Sequence, residues 1–375
     1  MNLLYLNSIE TKTFGGMEEW IRLTASGLAE RGHCVTVAGR PDSELLRRVS
    51  MTSSDVDLLP LNISGDFNPV TIVRLLEYLK EQRTDVVVVN FNKDIRLGGL
   101  AAKLKRHAKV IWRVGVDLTK DNFIHRYLTP RLVDGVIVPS HALKKQIIRL
   151  GYIKDENVEV IHNGIAERDF SRPDKEASRL LRAKYDWPIN ALIAVTVGRL
   201  VDEKGHRHLI KAARQIVQKN QLARFIFIGD GYLRDELQEL VEKYGLSDKI
   251  VFTGMLTEFD QMLAGADMMI HPSIEEWFPA AVLEGMRAGL PIVATTVGGI
   301  PEAVEENECA VLVPPNAPDS LGIVVADLMN DDARRAEMGR AGRDRWHRHF
   351  RVETMIDRVE NHLRAHCESG EYTRG

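Results

Sequence analysis

Short apolar runs and longer amphipathic stretches alternate along almost the whole chain. The apolar runs are LLYLN, HCVTVAG, DVVVVN, KVIWRVG, DGVIVPS and NVEVIHNG, then ALIAVTVG, RFIFIGDG, KIVFTG, DMMIHPS, LPIVATT and CAVLVPP. They are rich in Val and Ile, bounded by Gly, Pro, Asn or Ser, and nearly unbroken, a pattern that predicts strands covered on both faces. Between them, stretches such as EEWIRLTASGLAERG and HALKKQIIRLG repeat their apolar residues at helical spacing. The alternation predicts an α/β protein of doubly wound, Rossmann-like parallel-sheet domains.

The pattern pauses once, in IAERDFSRPDKEASRLLRAKYDWPIN, which is charged and carries prolines toward each end. We therefore expect a first domain over 1–165, an inter-domain passage over 166–190 and a second domain over 191–345. The segment 346–375 has helical periodicity with no strand after it, and is expected to pack back on the first domain. A length of 375 residues fits two cores better than one.

Composition works mainly by exclusion. A hydrophobic share of 44% and a charged share of 27% are those of an ordinary globular chain, and a formal net charge of -3 gives no general attraction to nucleic acid. Cys34, Cys309 and Cys367 lie far apart without CxxC spacing, which argues against a disulfide framework or a zinc site. No run approaches the roughly 18 apolar residues of a membrane helix, and the start turns polar too early for a signal peptide, so a cytoplasmic location is expected.

In open parallel sheets, ligands bind beyond the carboxyl ends of the strands, so the loops there are where chemistry is sought. After LLYLN, Gly15-Gly16 precede a helix and suit either a phosphate at its N-terminus or a plain turn. VTVGRLVDEKG puts Arg199 and Lys204 after a strand, two cations that suit a departing diphosphate unless they are simply solvated. IGDGYL, with Gly229 and Gly231, and TTVGGIPEAV, with Gly298 and Gly299, can admit backbone to a nucleotide or make tight turns.

The run EEWFPAAVLEGMRAG sets Glu276 before a helix whose first turn holds Pro279, and Glu284 on the second turn. Even on one helix these carboxylates would stand about 12 Å apart, too far to share a proton. We expect them to accept hydroxyls from different parts of one elongated ligand, or else to flank a core helix at the surface. Glu284 sits among Ala281, Val282, Leu283 and Met286, where a carboxylate needs a partner. Asp55 and Asp57 form a DxD triplet without a helix entry, read as a polar lead into a strand, and no metal is expected. The histidine pairs in GHRHL and WHRHF are spaced i, i+2 and would splay apart on a helix.

FGGMEEW, VGRLVDEKGHRHLIKA, FIGDGYLRDEL, VFTG, ADMMIHPSIEEWFPAAVLEGMRAGLPIVATTVGGIPEAV and AVLVPP resemble, in that order, the retaining nucleotide-sugar glycosyltransferases of family 4, which have the GT-B fold. The likeness covers nearly the whole chain and is strongest from 195 to 315. It implies two Rossmann-like domains facing a cleft, with the donor held mainly by the second domain and the acceptor by the first. A last helix carrying Trp346 and Phe350 would cross back.

The resemblance also implies roles. Glu276 would contact hydroxyls of a transferred hexose-type sugar, Glu284 the ribose, and Arg199 and Lys204 the diphosphate. Gly15 and Gly16 would form the phosphate-side loop of the first domain, with Gly231 in the donor site. Backbone around Phe278, Pro279, Ala280, Ala281 and Val282 would line the sugar phosphate, and Met255 would lie by the base. Catalysis would need neither metal nor cofactor beyond the nucleotide-diphosphate sugar. UDP is favoured because it is common in the family. Configuration would be retained without a protein nucleophile, on a saccharide or lipid-linked acceptor.

The chain departs from the family at KVIWRVG, after which many members carry a histidine; here Arg113, Gly115 and Asp117 stand with no histidine, so that either Arg113, on the expected acceptor side with Asp117, takes part of that role or the acceptor is handled differently. Pro279 stands where Gly is frequent. A non-hydrolysing nucleotide-sugar epimerase and a non-catalytic two-lobed sugar-binding protein are the competing readings. The long motif block argues against the first; Arg199, Lys204 and both glutamates argue against the second. KLKRHAK at 103–109 and Lys144-Lys145 fit either peripheral contact with a lipid surface or solvated helix faces.

Overall fold

A computed structural model describes residues 1–9, 14–105, 108–115, 121–168 and 174–368, with Lys105 described by its backbone only. The chain divides into two units, one made of Met1–Asn163 with Val352–Gly375, the other of Gly164–Arg351.

The first unit is built on a seven-stranded sheet of β1 (Asn2–Leu6), β2 (Cys34–Gly39), β3 (Val56–Pro60), β4 (Val86–Val89), β5 (Lys109–Arg113), β6 (Gly135–Val138) and β7 (Val158–Val160). Their order is β3-β2-β1-β4-β5-β6-β7, and every pairing is parallel. The central strands are apolar throughout because helices cover both faces; all four valines of β4 are fully buried. One face is closed by the helix Gly16–Glu30 together with the helix Val352–Glu368. Met355, Ile356, Val359 and Leu363 of the latter join Ile21, Ala25 and Leu28 in one core cluster. Full burial of such side chains contributes about 1.5–3 kcal/mol each.

The second unit holds β8 (Leu192–Val197), β9 (Ala223–Ile228), β10 (Ile250–Gly254), β11 (Met268–His271), β12 (Ile292–Thr295) and β13 (Ala310–Val313). They form a six-stranded parallel sheet in the order β10-β9-β8-β11-β12-β13. Successive residues of β8 enter different cores: Ile193 and Val195 belong to one cluster and Ala194 to the other. Two parallel-sheet, Rossmann-like units are thus the architecture expected from the pattern.

The unit boundary falls elsewhere than the sequence suggests. The helix Lys175–Lys184, inside the charged stretch 166–190, belongs to the second unit. Its Arg182 is buried and donates to Ala191 O (2.6 Å), Gly265 O (3.2 Å) and Asp267 (2.7 Å). Trp346 and Phe350 also belong there, in the same core cluster as Ile193 and Val195. The segment that joins the first sheet begins at Val352. Helical periodicity shows that a face is buried but not against which sheet, which is why position 346 looked like the start of the return.

Both sheets reverse their strand order once, between β1 and β4 and between β8 and β11. Loops leaving adjacent strands diverge at such a point and open a crevice at the carboxyl ends. Among the described residues no helix is long and apolar enough to cross a membrane. All three cysteines are free thiols.

Candidate active site

In the second unit, the loops after β8 and β11 carry the predicted residues and are laced together. Gly205 ends the turn Asp202–Lys204 at φ 66°, and a Cβ there would lie 2.0 Å from Pro272 O. Ile274 N donates to Glu203 O at 2.7 Å. Only a residue without a side chain allows this approach. A second clamp comes from Gly298 at φ 52°, whose added Cβ would fall 1.4 Å from Glu276 O. Gly299 N donates to that same oxygen at 3.3 Å.

Held this way, Glu276 meets Lys204. Lys204 Nζ donates to Glu276 Oε2 at 2.6 Å, and His271 Nε2 lies 3.0 Å from the same oxygen. Because an ionised carboxylate can only accept, Nε2 carries the imidazole proton in that contact. Ser273 Oγ lies 3.0 Å from Nε2. Burial alone would raise the Glu276 pKa, but the His271 hydrogen bond and the Lys204 charge outweigh it and hold the carboxyl at about 2. The His271 pKa is lowered as well, because its burial favours the neutral ring and outweighs the pull of Glu276. Oε1 of Glu276 receives only the Trp277 N–H, at 3.3 Å, among the described residues. That oxygen has lone pairs left for a ligand hydroxyl.

Arg199, at the head of the same cluster, is exposed. Its carbonyl is fixed by His206 Nε2 at 3.0 Å, while its guanidinium has no partner among the described residues. Burial pushes the His206 pKa down to about 4, so this ring is a neutral structural donor.

Glu284 lies on the second turn of the helix Ala280–Arg287, with Pro279 as its N-cap rather than in its first turn. The partner it requires is Arg287, three residues on. That buried guanidinium also binds Asp260 (2.5 Å) and Ala166 O (2.9 Å), and Asp260 in turn pairs with Arg168. At the N-terminus of this helix, Val282 and Leu283 donate to Pro279 O at 3.0 and 3.2 Å. The amides of Ala280 and Ala281 have no intrahelical acceptor, the usual state of a first turn and one that favours an anion. The Phe278 side chain faces the core instead, 5.7 Å from the Phe350 ring. Gly231 packs on the neighbouring loop, where a Cβ would meet Leu200 O at 2.4 Å. Met255 is 68% exposed, beyond the carboxyl end of β10.

In the first unit the switch-point loops are tied by Asp94. It accepts from Ser8 N (2.9 Å), Phe91 N (2.9 Å) and Asn90 N (3.4 Å), joining the exits of β1 and β4. Burial outweighs these bonds and raises its pKa to about 6. Gly15 caps the helix Gly16–Glu30, and its N–H donates to Glu18 Oε2 at 2.9 Å. Gly16 faces open space. Arg113 ends β5, with its guanidinium buried, bound to Asn163 Oδ1 at 2.9 Å and lying 5.0 Å over the Trp20 ring. Asp117 falls outside the described residues, as do Arg106 and His107 of the basic run. Lys103 is engaged by Asp134 at 3.1 Å, and Lys144 by Val158 O at 2.7 Å.

The structure therefore brings Glu276 together with Lys204 in one cluster and leaves Glu284 in a separate ion-pair network. Sequence reasoning missed His271, Ser273, Arg287 and Asp260. A polar residue closing an apolar strand, as in MMIHPS, was the available signal for His271, and the i, i+3 spacing was the signal for Arg287.

Comparison with known proteins agrees with this layout. Residues 178–345 match the family profile described as Glycosyl transferases group 1, and residues 14–168 match that of Glycosyltransferase Family 4. An uncharacterized glycosyltransferase of Methanocaldococcus jannaschii is 30% identical over 231 residues, 60% of this chain and 59% of that protein. The α-D-kanosaminyltransferase of Streptomyces kanamyceticus is 30% identical over 177 residues, 46% of each chain. The matches thus span about half the length of these curated relatives. Among solved structures, Anabaena HepE in complex with UDP superposes with a TM-score of 0.84 at 21% identity, covering 97% of this chain and all of that one.

Proposed function

The chain belongs to the group 1, family 4 glycosyltransferases, and on that premise we propose that it moves a hexose-type sugar from a nucleotide-diphosphate donor to a saccharide or lipid-linked acceptor with retention of configuration. The observation that carries this reading is the partly buried Glu276, kept ionised by Lys204 and His271 beyond the carboxyl end of β11. An anionic acceptor of hydrogen bonds at a switch point is suited to sugar hydroxyls, which are donors. In this reading Glu276 Oε1 receives a hydroxyl of the transferred sugar. Arg199 and Lys204 neutralise the leaving diphosphate, and the free amides of Ala280 and Ala281 take part of its charge. Glu284 accepts the ribose hydroxyls, oriented by Arg287. With cations of its own to stabilise the leaving group, the site needs no metal for that step. UDP complexes of Anabaena HepE make a uridine donor the first to try.

Calorimetric titration of the purified chain with UDP, GDP, ADP and their sugar conjugates, with and without chelator, tests the reading. We expect one nucleotide series, UDP first, to bind at micromolar concentration unaffected by chelator. Absence of binding by every nucleotide would overturn the donor site.

A further inference from the structure

We propose that Arg113 receives an oxyanion carried by the acceptor, so that the acceptor is an acidic, hydroxyl-bearing molecule and not a neutral sugar. This rests on the glycosyltransferase reading and specifies the substrate class for its first unit.

The argument starts from an uncompensated buried cation. Arg113 is 2% exposed, and a guanidinium offers five N–H donors in a fixed fork. Among the described residues its only hydrogen bond is to Asn163, a neutral amide. Trp20 contributes a ring face, which suits a cation but takes no hydrogen bond along the fork. Among the described residues Glu18 is the one carboxylate whose charge acts on Arg113, yet no ion pair joins them, and Glu18 Oε2 is committed to Gly15 N–H. A buried charge held without a direct counter-ion is costly, and a bidentate oxyanion is the partner that matches the fork.

Two neighbours carry the same signature. Oε1 of Glu18 and Nε1 of Trp20 are both buried and, among the described residues, without a hydrogen-bond partner. One is an acceptor suited to a hydroxyl and the other a donor suited to an oxygen. All three side chains come from the carboxyl end of β5 and the first turns of the helix Gly16–Glu30, the edge at which parallel sheets take ligands. An anion flanked by hydroxyl groups, as in a sugar acid or a polyol phosphate ester, would satisfy the whole set.

The test titrates the full chain with glucuronate, inorganic phosphate and glucose, with and without a saturating nucleotide diphosphate. At least one anion is expected to bind at millimolar concentration under both conditions, with glucose silent; glucuronate would point to a sugar acid and phosphate to a phosphate ester. Arg113→Gln should weaken that binding about tenfold or more, as loss of a charge-assisted fork does. Asn163→Asp provides a second variant: it supplies the missing counter-ion from within, so the fold is kept while the anion is displaced to a similar extent. Nucleotide diphosphate affinity should stay unchanged in both. Binding of neither anion by the parent, or binding unaltered in both variants, overturns the proposal. Failure of the nucleotide alone would count against the donor site and leave the anion titration readable.

Discussion

Each sheet carries a carboxylate where its strand order turns back, Asp94 fully buried and Glu276 partly so, and the two are stabilised in opposite ways. Asp94 ties the exits of β1 and β4 with three backbone amides and, among the described residues, no ion pair, and its pKa climbs to about 6. Glu276 ties the loops of β8 and β11 through a lysine and a histidine, and its pKa falls to about 2. Burial pushes both upward, so the difference lies in the partners. Backbone amides can join two loops, but here a neighbouring cation is what keeps the partly buried Glu276 fully charged at neutral pH. The first arrangement ties loops together; the second leaves a charged oxygen with one long hydrogen bond among the described residues, the one the proposed function gives to a sugar hydroxyl.

Removing the cation should break this contrast most severely. Lys204→Met leaves Glu276 partly buried beside a neutral imidazole, and loss of one partner of such a pair costs on the order of 2 kcal/mol, less than for a fully buried pair. A fall in turnover of about 10²–10³-fold should accompany the lowered melting temperature, as for a lost donor in a site that stabilises developing charge. Adding Glu276→Gln to the lysine variant should return most of the stability and none of the activity. A double variant as unstable as the single would mean that Lys204 supports the fold independently of Glu276.

Gly298→Ala attacks the same carboxylate from behind. The new Cβ would collide with Glu276 O, and the residue would also be held in left-handed backbone, so the loop must move. We expect about 2 kcal/mol of lost stability from the strained backbone and a fall in kcat larger than any change in nucleotide affinity. Unchanged kcat would show that the position of Glu276 is less confined than the contact implies.

The third prediction turns on pH. Asp94 has a folded pKa of about 6, above its unfolded value, so the folded state binds more protons between about pH 6 and pH 4. Its penalty is present above pH 6, on the order of 2–3 kcal/mol, and is relieved as pH falls toward 4. Glu276 is depressed, so its stabilisation is full above about pH 4.5 and lost as pH drops toward 2. Asp94→Asn should flatten the stability profile between pH 4 and 7, while Glu276→Gln should alter it only below about pH 4.5. Chemical denaturation across that range measures both slopes. Parallel profiles for the two variants would erase the distinction between the switch points.

Much of this contrast was open to reading before any coordinates. Nearly unbroken runs such as VVVV and IVAT announce strands buried on both faces, and the loop rule then singles out Lys204 and Glu276. Their pairing was not legible, because 72 residues separate them and only the β8–β11 adjacency brings them together. Asp94 escaped notice because it lies inside the helix Asn92–Lys105, where an acidic first turn is ordinary. Trp346 and Phe350 were assigned to the wrong unit because amphipathic periodicity carries no address. Arg113 could be flagged as a departure from the family pattern, but its burial against Trp20 and Asn163 depends on contacts no spacing reveals.

The smallest effect on stability is expected at Arg199, and it separates the two cations that sequence treats as a pair. Lys204 is committed to Glu276, so its loss should be felt by fold and ligand alike. Arg199 is exposed, its guanidinium unpaired among the described residues, and only its carbonyl is used, by His206. Since Arg199→Ala leaves that carbonyl in place, the melting temperature should hold, with a stability change within about 0.5 kcal/mol. Nucleotide diphosphate affinity should drop about tenfold, and the nucleoside monophosphate less, if the guanidinium serves the diphosphate. Calorimetry on the parent and this variant with both nucleotides gives the comparison directly. Equal losses for the two would move Arg199 away from the terminal phosphate, and no loss for either would make Lys204 the sole cation of the site.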